Sequence, residues 1–220
     1  MKKAVFVAVV FILTLAMPAA AFELSGELWS VSEQEFIPSE QISNVYKVDL
    51  TLVQVGPVRL MGSGEYGGKI NQITDFIDLI RDDLDHDQLA ELEDFYLLGG
   101  VDGKVRVDWP VLSQVDVITS VGYRVLGNIS KIDSAIDSGL YGGISYSAGL
   151  GIDLAPGLKL SGTYEYGPNV KTLLGEEDQG SIQGIDVNIE YQIPLVLVKA
   201  GYRSQVLDLD AAKGYRISGF

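Results

Sequence analysis

One histidine, His86, and no cysteine limit the chemistry open to this chain of 220 residues. Disulfides, thiolate nucleophiles, Cys-ligated zinc and sites built from several histidines are excluded. Carboxylates, hydroxyls, lysines and arginines remain. The densest acidic run surrounds His86. Asp83, Asp85, Asp87 and Glu91 fall at the ligand spacings of a calcium-binding EF-hand loop, with Asp94 at its last position. Such a loop needs glycine where this chain has Gln88, and a bidentate Glu where it has Asp94. Asp83, Asp85 and Asp87 are thus a metal candidate only, and the run reads as a solvated acidic face. Ile73, Phe76, Ile77, Ile80 and Leu84 recur there at helical spacing and predict an amphipathic helix. Gly142, Gly143, Gly149 and Gly151 have no phosphate-loop lysine beside them, so they read as small residues admitting curvature or bulky neighbours.

Elsewhere the charges are spaced by two. Asp102, Lys104, Arg106 and Asp108 alternate with Val101, Gly103, Val105, Val107 and Trp109. A strand sends successive side chains to opposite faces, so this segment has one charged and one apolar face. The same alternation places Lys47 and Asp49, Arg59 and Glu65, Asp116 and Arg124, Lys159 and Glu165, Asp186 and Glu190, and Lys199 and Arg203 on the polar faces of further strands. Nine such segments are readable, over 22–31, 46–53, 58–66, 95–109, 115–126, 140–153, 158–166, 184–193 and 195–205.

Four tight connections each contain a proline: Gly56-Pro57, Trp109-Pro110, Pro156-Gly157 and Ile193-Pro194. Proline fixes φ and removes a donor, which suits a turn. Longer polar connections are expected at about 32–44, 67–94, 127–138, 167–181 and 206–213. Short and long alternate, the order of an up-and-down antiparallel sheet with its tight turns at one end. The fold class is therefore all-β, one domain over 22–220, with about ten strands (eight is possible). Residues 214–220 leave room for a short tenth strand, or for one within which the chain is cut.

Composition narrows the partners. Lys plus Arg is 16 and Asp plus Glu is 30, a net charge of −14, which argues against nucleic acid. Apolar residues make up 47%, too many for a disordered chain. The N-terminus has Met1-Lys2-Lys3, an uncharged run from Ala4 to Ala16, and Met17-Pro18-Ala19-Ala20-Ala21. That is a secretory signal with cleavage expected near Ala21.

Two closed architectures fit the alternation. A soluble lipocalin-like barrel turns its apolar face inward; a membrane barrel turns it outward into lipid. Strand lengths near the 9–11 residues of a membrane strand favour the second. So do aromatics near the strand ends, as a girdle at each interface predicts: Tyr46, Tyr66, Phe95, Tyr123, Tyr166 and Tyr202 toward the long loops, Trp109 and Tyr191 toward the tight turns.

In layout the chain resembles the small bacterial outer-membrane β-barrel proteins, the group that includes the OmpA membrane domain and OmpW. The resemblance rests on the signal Met1–Ala21, on strands such as Val101-Asp102-Gly103-Lys104-Val105-Arg106-Val107-Asp108-Trp109, on one-sided tight turns and on Phe220. It implies the outer membrane of a Gram-negative bacterium, contact with its lipid and lipopolysaccharide, and insertion by the barrel-assembly machinery. Tight turns would face the periplasm and long loops the outside. The usual closing strand has apolar residues in register with its last aromatic; here Ser218 and Arg216 precede Phe220. Outer-membrane proteases of the omptin kind use Asp and His at the rim, and a lipid-A esterase would need a Ser–His pair; residue types alone link His86 to either.

The functional expectation is a structural or binding barrel without cofactor or catalytic residues. Its lumen would be a closed charge network of Lys47, Asp49, Arg59, Glu65, Asp102, Lys104, Arg106, Asp108, Asp116, Arg124, Lys159, Glu165, Asp186, Glu190, Lys199 and Arg203. The ladder Asp102, Lys104, Arg106 and Asp108 would pair across to Arg59 and Glu65 on one side and Asp116 and Arg124 on the other. A narrow channel for small polar solutes and a periplasmic lipocalin-like carrier are the alternatives. Oligomeric state is not legible.

Overall fold

The computed structural model describes residues 23–35, 42, 44–68, 95–132, 135–174, 177–193, 196–210 and 214–220. Ten strands make up the fold: β1 (Glu23–Glu35), β2 (Asn44–Val55), β3 (Val58–Gly67), β4 (Phe95–Leu112), β5 (Val115–Ile132), β6 (Ala135–Ala155), β7 (Leu158–Leu174), β8 (Gln179–Ile193), β9 (Val196–Leu209) and β10 (Tyr215–Gly219). Each pairs antiparallel with its neighbours in sequence, and β1 pairs with β10, closing an up-and-down barrel. No helix occurs among the described residues. The signal expected up to Ala21, the helix expected within 67–94, His86 and the metal candidate Asp83, Asp85 and Asp87 lie outside them.

Two expectations about connections are corrected. The turn expected at Trp109-Pro110 is not there: β4 runs through Pro110 to Leu112, and the chain reverses at Ser113-Gln114. Proline is tolerated because Asp108 N, donating to Pro57 O, faces β3, and two residues on Pro110 faces the same side beyond the last β3–β4 pair, Val58 opposite Val107. The described residues of 127–138, 167–181 and 206–213 are also largely strand rather than loop. The register of β5 and β6 runs unbroken to Ile132 opposite Ala135, and β8 pairs with β9 out to Gly180 opposite Leu209.

The other tight turns stand where expected. Gly157 (φ 78°) follows Pro156, the order of a turn with a positive φ at its third residue, while Gly56 (φ 58°) precedes Pro57, placing the positive φ at the second residue of its turn. A glycine also permits close approach at Gly149, where a Cβ would sit 2.1 Å from the carbonyl oxygen of Gly162. Any side chain there would push β6 and β7 apart.

The reason for the underestimated strands is a change of polarity along the barrel. On β8, Ile185, Val187, Ile189 and Tyr191 point outward and exposed, while Asp186, Asn188 and Glu190 are on the inner face. Three residues toward the long-loop end the faces swap: Ile182 is buried inside, and Ser181 and Gln179 lie outside. On β9 the inner row runs Lys199, Gly201, Arg203, Gln205, then Leu207 and Leu209, while the outer row runs Ala200, Tyr202, Ser204, Val206, then Asp208. On these two strands the period of two continues while the inner face changes from charged to apolar.

The inverted half has an ordinary hydrophobic core. Trp29 and Val45 (β1, β2), Tyr96 and Leu98 (β4), Leu126, Tyr141, Val170 and Ile182 (β5 to β8), Leu207 and Leu209 (β9) and Tyr215 and Ile217 (β10) form one buried cluster with Ile42. Each fully buried aliphatic side chain is worth about 1.5–3 kcal/mol relative to exposure. This core fills the barrel at the long-loop end.

Candidate functional site: the charged lumen

The lumen has three zones. At the tight-turn end lies a vestibule of about 570 Å³, lined in part by Gln114, Pro156 and Gly157 of the turns. It leads into a constricted middle of about 120 Å³ among the charged side chains. The apolar core closes the far end.

Arg124 is the centre of the middle zone. It stands on β5, inward by the alternation, and only 7% of it is exposed. Its Nη2 donates to Glu65 Oε1 on β3 at 2.7 Å and to Gln205 Oε1 on β9 at 2.8 Å, and its Nη1 to Glu165 Oε2 on β7 at 2.8 Å. One guanidinium thus ties four strands, two of them across the lumen. The planar fork suits this, since its five donors can serve several acceptors at once. Gln205 completes the group, donating from Nε2 to Glu65 Oε1 (3.2 Å) and to the hydroxyl of Tyr215 (2.7 Å).

A second cluster centres on Arg203. It pairs with Asp186 on β8 and, at 3.1 Å, with Glu27 on β1; Glu27 also accepts from Lys199 Nζ at 2.9 Å. Asn188 donates to Asp186, and Arg203 stands 5.7 Å over the Trp29 ring. Charged pairs with this much hydrogen bonding offset the cost of burying their members.

The remaining charges pair nearer the wall. Lys159 Nζ reaches Asp116 Oδ2 on β5 at 2.6 Å, and Ser161 donates to Glu190 at 3.3 Å. Lys47 pairs with Asp49 at 3.0 Å along β2. The ladder expectation is corrected here. Asp102 and Lys104 pair at 3.5 Å, and Arg106 and Asp108 at 2.7 Å, each within β4. Residues two apart share a face about 7 Å apart, so long side chains meet along the strand as readily as across it. From the neighbouring strand Ser63 donates to Asp102, and Arg59 reaches Asp108 at 3.6 Å. Glu65 and Arg124 bind each other instead of the ladder.

The alternation puts Glu27 and Gln205 on the polar faces of 22–31 and 195–205, but the expected lumen network leaves both out, Glu27 because its strand alternates loosely and Gln205 because it carries no charge. Tyr215 lies in the short last segment and gave no signal.

On the outer wall, Tyr46 and Tyr66 are directly opposite one another across β2 and β3. Tyr123, Tyr166, Tyr191 and Trp109 are exposed, and Trp109 donates to Thr119 Oγ1 at 3.1 Å. Tyr202 stacks edge-on against Phe220 at 5.4 Å. The side chain of Phe95 is outside the described residues. No cluster of three or more potential metal ligands occurs among the described residues. No family model and no curated protein matches the chain.

Proposed function

We propose that the protein is an integral outer-membrane β-barrel of structural or binding type, reached after export and signal cleavage near Ala21, with a charged lumen that does not conduct. The carrying observation is the inside-out polarity of the tight-turn half: Val101, Val105, Val121, Ile144, Leu150, Ile185, Val187 and Ile189 stand exposed on the outer wall while the ion pairs lie within. In water such a wall would be an apolar patch far larger than monomeric proteins expose. In lipid it is the favoured surface.

The dimensions agree. Tyr66 lies opposite Gly99 on β4, ten residues from Trp109. At about 3.4 Å per residue and a tilt of about 40°, the aromatics at the two ends are separated by about 26 Å along the axis, close to the ~25 Å apolar band of such barrels. Tyr66, Tyr166 and Tyr202 sit where the polarity swaps, as interface residues should. Beyond them the interior is apolar, and the exterior mixes polar residues such as Gln179 and Asp208 with apolar Val206, Leu173 and Leu174. A soluble lipocalin-like carrier would need the apolar face inside along the whole barrel. The apolar core weighs against a channel, since it fills the lumen beyond the ion pairs. Lipid and lipopolysaccharide would be the contacts of the wall, and the barrel-assembly machinery the partner in insertion.

Cell fractionation tests the reading. The protein should resist carbonate and high salt, need detergent for extraction, and migrate faster on a gel unheated than boiled. Release by carbonate without detergent would defeat it.

A further inference from the structure

The vestibule contains an arrangement that the closed-lumen reading does not use. Arg59 on β3 and Arg106 on β4 are directly opposite each other in register. Directly opposed residues have Cβ atoms only about 5 Å apart, and like charges placed so are unfavourable. One carboxylate serves both: Asp108 accepts from Arg106 Nε at 2.7 Å and lies 3.6 Å from Arg59 Nη2. The second distance is an ion pair but too long for a good hydrogen bond. Asp108 is the more buried partner, its side chain 11% exposed, while those of Arg59 and Arg106 are 30% and 24% exposed and line the open cavity. Elsewhere on the wall carboxylates keep pace with cations: Lys159 pairs with Asp116, and Lys199 and Arg203 are held by Glu27 and Asp186 together.

We propose that Arg59 and Arg106 form a binding site for a small oxyanion, a carboxylate or phosphate group carried by a soluble solute that enters the vestibule at the tight-turn end. Two guanidiniums sharing one carboxylate leave a local charge of +1 at one side of a cavity whose lining also includes Asp49 (paired with Lys47), Glu190 and Asp153. A volume of about 570 Å³ is in the range of small-ligand sites. Guanidiniums bind planar or tetrahedral oxyanions through two parallel hydrogen bonds, and an oxyanion between them would relieve the opposed charges. The mouth opens among the turns, not through the apolar wall, so a soluble anion reaches it more directly than a lipid headgroup. The site needs only the barrel and its vestibule, so it does not depend on where the protein resides.

The test uses the refolded barrel in a neutral detergent at low salt. Inorganic phosphate and succinate are titrated by calorimetry, with phosphatidylglycerol in mixed micelles as the headgroup arm. Saturable binding of phosphate or succinate is expected, weakened about tenfold or more in both Arg59→Gln and Arg106→Gln, and unchanged in Lys171→Gln at the other end of the barrel. Arg59→Gln leaves the Arg106–Asp108 pair intact and removes the opposed charge, so it should melt no lower than the parent and keeps the test independent of folding. Phosphate and succinate that do not bind at tens of millimolar, or that bind equally to both arginine variants, overturn the proposal. So does saturable, arginine-dependent binding of phosphatidylglycerol without binding of the soluble anions.

Discussion

Replacing Arg124 by Met removes one guanidinium from the centre of the lumen and leaves two carboxylates behind. Breaking a buried ion pair by removing one member typically costs about 3–5 kcal/mol, most of it the burden of the stranded charge. The two carboxylates are not equal: the side chain of Glu65 is 5% exposed and that of Glu165 is 25% exposed. Glu165 can rehydrate toward the vestibule side, and Glu65 keeps the 3.2 Å hydrogen bond from Gln205. The expected loss therefore falls near the lower end, about 3 kcal/mol. It is measured by urea unfolding of the barrel in lipid vesicles, followed by the gel shift between folded and unfolded forms. The double variant Arg124→Met/Glu65→Gln should recover most of the loss, because the remaining amide can be satisfied without a counter-charge. A control, Arg106→Ala, should cost less than Arg124→Met, about 1–2 kcal/mol, since Asp108 keeps Arg59 as an ion-pair partner. An Arg124→Met loss below about 1 kcal/mol, or strict additivity with Glu65→Gln, would refute the keystone role.

Three other outcomes are expected. Val121→Arg on the outer wall should cost about 2–4 kcal/mol in vesicles if that wall faces lipid, against less than about 0.5 kcal/mol for a water-exposed site; near-neutrality in the unfolding assay sinks the membrane reading. Planar bilayers containing the protein should show no stepwise conductance, and Leu126→Ala in the apolar core should lower stability by about 2–5 kcal/mol; steady ion-selective steps from the parent protein would restore the channel. Protease added to intact cells should cut within 69–94 and spare the turns at Gly56-Pro57 and Pro156-Gly157, whereas cleavage confined to lysed cells inverts the orientation.

Much of the architecture was legible because the period-two pattern survives in almost every strand. Val101 to Trp109 announces its two faces residue by residue, and Pro57 and Pro156 mark reversals. Two kinds of information were hidden. First, the pattern was followed by its sign as well as its period. Where Tyr202 gives way to Ser204, and Arg203 to Leu207, the outer face turns mixed and the inner face apolar; a reader tracking apolar-out strands sees a loop begin. Second, pairing within the lumen depends on side-chain reach. Nothing in the spacing says that Arg106 turns along its own strand to Asp108 while Arg124 crosses the barrel to Glu65 and Glu165. Pro110 misled in the opposite direction, since it stands inside a strand but beyond the last β3–β4 pair.

The polarity swap also bears on how the barrel closes. β10 has only five residues, and its pairs with β1 and β9 run from Val31 to Glu35 and from Arg203 to Leu207, within or beside the inverted half. Its inner residues Tyr215 and Ile217 belong to the apolar core, while Arg216 outside pairs with Glu35 at 3.1 Å. Hydrogen-bonded closure is thus concentrated where the exterior carries polar residues and water can satisfy a strand edge. Toward the tight-turn end β1 and β9 are joined differently: Glu27 of β1 receives both Lys199 and Arg203 of β9, and the exchange of Ser30 with Phe220 is the last backbone contact on that side. An edge facing lipid is costly when its backbone groups lack partners. The two charged contacts to Glu27 hold the strands together at that level, which gives this carboxylate a structural task that neither its type nor its place in a loosely alternating strand foretells.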